Sequence, residues 1–287
     1  MFYCCGITNK GNRDHNEDAL MIHKAYITEG TLEEHIPSPF IAAVADGVAG
    51  EQAGELASSL CLRLLSNIKY NHTTDLKERI NDVHEVLVQY GLENGAYLNM
   101  QTTLCGVAID ENDRITTFNV GDSRLYRYRN AMLRQLSRDQ SLVQLLYEKG
   151  TITNEEKRTH AQKNIIFPVL GNIHNAPQID IHSYGEKMQY GDVLLICSDG
   201  LSDYVSSTVM EEILSLPFVR QLTQTTTSST ITRIATHVCG FLKFNTFLIR
   251  LPASPSPKAI GANEYGCRSI ANDRSELLYP CLISLPN

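Results

Sequence analysis

Hydrophobic and polar positions along the chain switch between a period of two and a period near 3.6. Phe2 to Thr8 and Ala19 to Ile27 are runs rich in β-branched and aromatic residues around Gly11-Asn12, a pattern that predicts two strands joined as a hairpin. Phe40 to Ala45 is wholly apolar and ends in Asp46-Gly47. Ala53, Leu56, Ala57, Leu60, Leu64, Leu65 and Ile68 then line one helical face, so a buried strand feeds a helix. A second helix is expected from Thr74 to about Gln89, with Leu76, Ile80, Val83 and Leu87 inward and Thr73 and Thr74 as candidate caps. Thr102 to Asp110, Arg114 to Val120 and Leu125 to Arg129 read as consecutive antiparallel strands.

Ser141 to Lys149 predicts a short helix closed by Gly150, the residue type suited to a left-handed C-terminal position. Further on, Val193 to Cys197 is a second apolar strand, again ending in Asp-Gly at Asp199-Gly200 and followed by a helix around Val209 to Leu214. Beyond Leu216 the pattern dissolves: Gln221 to Thr230 is dominated by Ser and Thr, and proline is concentrated from Pro217 onward. That composition predicts a loop-rich tail over residues 217–287.

Composition narrows the function without naming it. A chain of 287 residues with 43% hydrophobic and 20% charged residues has the makeup of a globular protein with a sizeable core. A net charge of −7 argues against a nucleic-acid binder that works through a basic surface. The longest apolar run, Phe40 to Ala45, is far short of the ~20 residues a membrane span needs. The N-terminus lacks the basic and apolar regions of a secretory signal, so the cytoplasm is the expected compartment. The 8 cysteines form no C-x-x-C pair and read as reduced core residues.

The chemistry is carried by acids. Asp-Gly is a common turn dipeptide, yet Asp46 and Asp199 end the two most apolar strands, where side chains can converge on a cleft. Asn16-Glu17-Asp18 and Gly121-Asp122-Ser123-Arg124 adjoin other strands. Together these acids form the oxygen-donor inventory expected for Mg²⁺ or Mn²⁺, while the 9 histidines show no metal spacing. Arg13, a few positions before Glu17 and Asp18, reads either as a salt-bridge partner or as a guanidinium that grips a phosphate with paired hydrogen bonds.

Four segments, taken in order, resemble the motifs of the metal-dependent serine/threonine protein phosphatases, the PPM or type 2C family, in compact bacterial form. They are Gly11 to Ala19, Val44 to Gly50, Val120 to Tyr126 and Leu195 to Leu201, with weaker matches at Leu136 to Val143, His160 to Asn164 and Leu170-Gly171. The resemblance implies an α+β fold, an αββα sandwich of two antiparallel sheets flanked by helices. It places the catalytic domain at residues 1–216, with a small flap at about 140–179. It also implies that Asp46 bridges two Mn²⁺ or Mg²⁺ ions, that the Gly47 carbonyl and Asp199 ligate them, and that Glu17 and Asp18 hold bound water. Asp122 with Asp199 would make a third-metal site, and Arg13 would grip the phosphate. The implied activity is hydrolysis of phosphoserine and phosphothreonine on proteins by water, by a monomer opposing a serine/threonine kinase.

The pattern departs from the family in two places. Val48 follows Asp46-Gly47 where many members have a histidine, and no Asp-Asn precedes a closing strand after Asp199. Asp273 either replaces that last metal ligand or lies in a divergent tail that leaves one metal shell incomplete. The second case keeps an alternative alive, a weak or inactive phosphatase-like module that binds phosphoproteins. A phosphatase of small phosphoesters is a further alternative.

Overall fold

The computed structural model describes residues 1–11, 13–48, 52–215 and 244–250, residue 52 and the last segment as backbone. Asp273 and most of the tail lie outside the described residues. The compact unit that holds all the described residues runs from Met1 to Ser254.

The strands are β1 (Phe2–Asn9), β2 (Asp18–Ile22), β3 (Ala25–Ile27), β4 (Gly30–Ile36), β5 (Phe40–Val48), β6 (Gln101–Thr102), β7 (Leu104–Ile109), β8 (Arg114–Val120), β9 (Arg124–Arg129), β10 (Met132–Gln135), β11 (Asp180–Lys187), β12 (Val193–Cys197) and β13 (Phe244–Arg250). The helices are α1 (Gln52–Ser66), α2 (Leu76–Glu93), α3 (Leu142–Glu148), α4 (Asn154–Thr159), α5 (Asp199–Ser202) and α6 (Ser207–Ser215). One sheet has the order β10-β9-β12-β13-β1-β4; the other runs β11-β8-β7-β5-β2-β3, with β6 added to β5. Neighbouring strands in both pair antiparallel.

Alternation along the strands builds the layers. On β2, Leu20 and Ile22 face Phe2, Cys4, Leu194 and Ile196 of the other sheet, while Ala19 and Met21 face the helices through Ala57, Leu60, Ile80 and Leu87. The second sheet repeats this: Leu194 and Ile196 point inward, and Val193, Leu195 and Cys197 pack under Leu201, Val205, Met210 and Leu214 of the α5–α6 region. The result is the expected αββα sandwich, with three buried apolar seams between four layers.

Several sequence expectations need correction. Phe2–Asn9 and the run from Ala19 do not form a hairpin with each other. β1 pairs with β4 and β13 in one sheet, β2 with β3 and β5 in the other, and the two meet face to face through Phe2, Cys4, Leu20 and Ile22. The run Ala19 to Ile27 is itself a hairpin, broken where His23 takes a positive φ of 56°. β9 does not continue β7 and β8 but crosses to the other sheet beside β12. The cap of α2 is Asp75 rather than Thr73 or Thr74, its carboxylate accepting from the Glu78 N–H at 3.1 Å. Ser141 caps α3, and Gly150 has the expected left-handed φ of 69°. β13 enters the first sheet between β12 and β1, beyond the boundary expected at residue 216. Among the described residues, no helix is long and apolar enough to cross a membrane.

Candidate active site

Asp46-Gly47 is not a turn. It lies inside β5, which runs on to Val48, and Asp46 stands directly opposite Asp18 on β2 in the antiparallel register. Asp18 is fully buried and Asp46 is 9% exposed. Residues paired in this way have Cα atoms about 4.5–5.5 Å apart, and like charges there repel.

The backbone of Asp46 is fixed from the neighbouring strand. Its N–H donates to Thr103 Oγ1 at 3.0 Å, and its carbonyl accepts from Thr103 N–H at 2.9 Å and from Thr102 Oγ1 at 3.0 Å. Thr103 Oγ1 lies 2.9 Å from Ser123 Oγ, which ties this network to the β8–β9 turn that carries Asp122. Asp18 is reached from the second sheet by Ser198, whose hydroxyl donates to Asp18 Oδ2 at 3.1 Å. Ser198 follows β12 and directly precedes Asp199, the first residue of α5.

Glycine is required where β5 meets α1. A Cβ on Gly47 would lie 2.2 Å from the Gly54 carbonyl oxygen, and one on Gly54 would lie 2.6 Å from Glu17 Oε1. Strand and helix thus meet backbone to backbone, with the half-buried Glu17 carboxylate filling the seam and the Glu17 carbonyl accepting from Gly47 N–H at 3.0 Å.

Asp122 follows Gly121, whose φ of 103° makes the turn. Gln140 clamps that turn, donating its N–H to Gly121 O at 2.9 Å and accepting from Gly121 N–H at 2.8 Å. Burial raises the Asp122 pKa to about 7, with the charges of Asp199 and Asp139 adding to the effect. Asp139 is buried and holds the Arg124 guanidinium through bonds of 3.0, 3.1 and 2.6 Å. Arg13 is exposed in the β1–β2 loop, where its N–H donates to Lys10 O at 3.0 Å. Among the described residues it makes no ion pair, so the salt-bridge reading of Arg13 is not what the structure displays.

The structure therefore brings Asp18 and Asp46 together, bonds Asp18 to Ser198, the residue before Asp199, and sets Asp122 within electrostatic reach of Asp199. Asp273 lies outside the described residues. Thr102, Thr103, Ser123, Ser198 and Gln140 were not singled out by sequence reasoning, although Ser123 and Ser198 sit inside motifs that were. Their type is common at turns and strand ends, and only the tertiary bonds reveal their part.

All the donors are carboxylates or carbonyls, the set that suits a hard divalent ion rather than a thiol- or imidazole-bound one. Among the described residues, no three His, Cys, Asp or Glu side chains close into a ready cage. Ions of this type keep several waters and need only one or two carboxylates each. A cation would also relieve the repulsion of Asp18 against Asp46, so these residues fit Mg²⁺ or Mn²⁺.

The comparisons agree with this geometry. The family model for protein phosphatase 2C matches residues 16–242. The serine/threonine phosphatase stp of Listeria monocytogenes is 36% identical over 217 residues, covering 72% of this chain and 81% of that protein. Protein phosphatase PhpP of Streptococcus pneumoniae is 33% identical over 182 residues, covering 60% of this chain and 71% of that protein. The solved structure of serine/threonine phosphatase Stp1 from Staphylococcus aureus superposes with a TM-score of 0.64 at 27% identity, covering 87% of this chain and 94% of that one. With its facing aspartates on β2 and β5 and its four-layer sandwich, the chain belongs to the protein phosphatase 2C family, among the bacterial serine/threonine phosphatases.

Proposed function

We propose that this chain hydrolyses phosphoserine and phosphothreonine esters on proteins with water as nucleophile, at the cleft where β2, β5 and the β12–α5 junction meet. The observation that carries the reading is the buried Asp18 facing Asp46 across paired strands. Asp46, the Gly47 carbonyl and Asp199 would hold two divalent ions, with Glu17 and Asp18 oriented to their water ligands and Asp122 with Asp199 to a third. Mn²⁺ is the first choice, since the catalytic domain of a serine/threonine protein phosphatase PstP has been solved with two manganese ions. Bound ions of this kind acidify water and offset charge on phosphoryl oxygens.

The chain's own residues supply position and charge. Thr102 and Thr103 fix the Asp46 backbone, so its carboxylate keeps its place as substrate enters. Ser198 orients Asp18 by donating to it. Arg13, exposed in the β1–β2 loop a few positions before Asp18, would grip two phosphoryl oxygens with its guanidinium. Asp122 is held beside Asp199 at the β8–β9 turn, where burial and the charge of Asp199 raise its pKa and would favour a cation between the two. No cysteine enters this scheme; the described ones are buried, and burial holds Cys61 and Cys197 up at about 12.

A phosphoprotein substrate presupposes a kinase, and we assign the chain to a cytoplasmic monomer that opposes a serine/threonine kinase, with residues 1–254 as the catalytic unit. The test is hydrolysis of a phosphothreonine peptide with Mn²⁺, with EDTA, and by Asp46→Asn. Chelation and the substitution should each lower kcat/KM by at least about a hundredfold, since a metal's contribution to phosphoryl transfer is several kcal/mol. Full activity in EDTA or in Asp46→Asn would refute the mechanism.

A further inference from the structure

A cavity of about 450 Å³ that reaches Asp122 opens between α4, the start of β9 and the α5–α6 turn. Asp122 lines its inner end, and Asp203, whose N–H donates to Asp199 O at 2.9 Å, lines its wall. The cavity therefore adjoins the catalytic acids without containing Asp46 or Asp18.

Its lining carries four cations, Arg124, Lys157, Arg158 and Lys163, against four carboxylates, Asp122, Asp139, Glu155 and Asp203, but they are not matched one to one. Arg124 and Lys157, with side chains 22% and 13% exposed, share the single buried carboxylate of Asp139; Lys157 Nζ lies 4.0 Å from it. Lys157 also donates to Gln144 Oε1. Lys163 is paired with Asp203 at 2.7 Å. Arg158, next to Lys157 on α4, is exposed and makes one hydrogen bond, to the Asp203 carbonyl at 3.2 Å, and no ion pair among the described residues. Glu155 is exposed at the rim, and the charge of Asp122 belongs to the reacting end. α4 is set in place by a capping box between Thr153 and Glu156, so Lys157 and Arg158 are presented from a defined turn rather than from a free loop.

We propose that this cavity is a specificity subsite for an anionic side chain of the phosphoprotein, a carboxylate or a second phosphate lying near the residue being dephosphorylated. The proposal rests on the phosphatase reading above. Arg158 is the principal contact, because its planar guanidinium keeps donors to spare and matches either anion with two parallel bonds. Lys157 and Arg124, two cations on the one Asp139 carboxylate, lie beside it. An extended peptide advances about 3.3–3.6 Å per residue, so side chains two to four positions from the phosphorylated residue span about 7–14 Å and reach a cavity adjoining the cleft.

The experiment compares three families of phosphothreonine peptides with full-length protein and Mn²⁺: neutral flanks, Glu scanned through four positions on either side, and phosphoserine at the same positions. The wild type should favour one anionic position by about tenfold or more in kcat/KM, the size of one charge-assisted hydrogen bond at 1.4 kcal/mol per tenfold. A larger gain with phosphoserine than with Glu identifies a second phosphate as the ligand, and equal gains identify any carboxylate-like anion. Arg158→Gln should bring the ratio of anionic to neutral substrate close to one, Arg158→Glu should invert it, and added KCl should shrink it. A wild type with no preference, or an Arg158→Gln that lowers all substrates equally, would overturn the proposal, the second because Arg158 would then only fasten the flap. Should no peptide be hydrolysed, the phosphatase reading fails separately, and fluorescence anisotropy of the same peptides on wild type and Arg158→Gln reads the subsite directly.

Discussion

At the scale of single residues, the site depends on groups that do not face substrate. Asp46 can hold its carboxylate opposite that of Asp18 because Thr102 and Thr103 satisfy its backbone from the adjoining strand, and a buried N–H or carbonyl left unsatisfied costs about 1–3 kcal/mol. A similar bond ties the segment that precedes β11 to α2. His84 on α2 is half-buried, and its Nδ1 accepts from Gly171 N–H at 3.1 Å, beside the Thr102–Leu170 bridge. Burial lowers the His84 pKa, with Glu85 opposing the shift. The sign follows: a histidine with a lowered folded pKa contributes stability above its ordinary value near 6.5 and loses it as pH falls below that. A protonated Nδ1 can no longer accept, so the bond, worth about 1 kcal/mol, is lost. Between pH 7.5 and 5.5, thermal melting of the wild type should therefore fall further than that of His84→Leu, which lacks the acceptor at both values. Equal falls would show that His84 is not part of the acid response.

At the scale of elements, the contact of β5 with α1 is the tightest constraint on the site, and its two glycines should not behave alike. In Gly47→Ala the new methyl meets the backbone of Gly54 at 2.2 Å, which forces strand and helix apart. Overpacking of this kind costs about 1–3 kcal/mol or more, and the carbonyl assigned to a metal moves with it. In Gly54→Ala the methyl meets the end of the Glu17 side chain, which can swing away, while the helix gains about 1 kcal/mol from replacing glycine. Gly47→Ala should thus melt lower and lose activity, and Gly54→Ala should melt near wild type yet need more Mn²⁺ for half-maximal rate. Equal melting temperatures would contradict the backbone clash.

Much at this level was legible in the sequence. α1 and α2 follow from helical periodicity, β5 and β12 from unbroken apolar runs and β7 and β8 from apolar stretches between turn residues, and the motifs pointed to Asp18, Asp46, Asp122 and Asp199. Pairing was less legible, because β1 and β2 are adjacent in sequence and equally apolar whether they bond edge to edge or pack face to face. β4 and β11 have exposed or half-buried faces and give no clean alternation. β13 follows a Thr- and Ser-rich stretch whose composition reads as loop, and its place between β12 and β1 is set by two partners distant in sequence. Ser198 and Thr103 were beyond reach for the same reason: their bonds run to Asp18 and Asp46, 180 and 57 positions away.

For the whole molecule, the metal site proposed at the facing aspartates would couple folding to cation binding. The αββα stack is held by three apolar seams, and the cost of burying Asp18 against Asp46 is borne at the centre of the seven-stranded sheet, where β2 and β5 pair. Two consequences of opposite sign follow from one substitution. Asp46→Asn removes a charge from a repelling pair while keeping the shape, so without metal the variant should melt at or above the wild type. Mn²⁺ binds the folded state, and at a hundred times its dissociation constant it stabilises by about 2.7 kcal/mol. For a domain of this size that is roughly 5–10 °C in Tm. The wild type should show that rise and Asp46→Asn should lose most of it, so the two melting curves cross as Mn²⁺ is added. Scanning calorimetry on the full chain with EDTA and across a Mn²⁺ titration tests both halves. A variant that melts well below the wild type in EDTA would mean that the other interactions of the Asp46 carboxylate outweigh its repulsion by Asp18. A variant that keeps the full metal-induced rise would place the cation elsewhere.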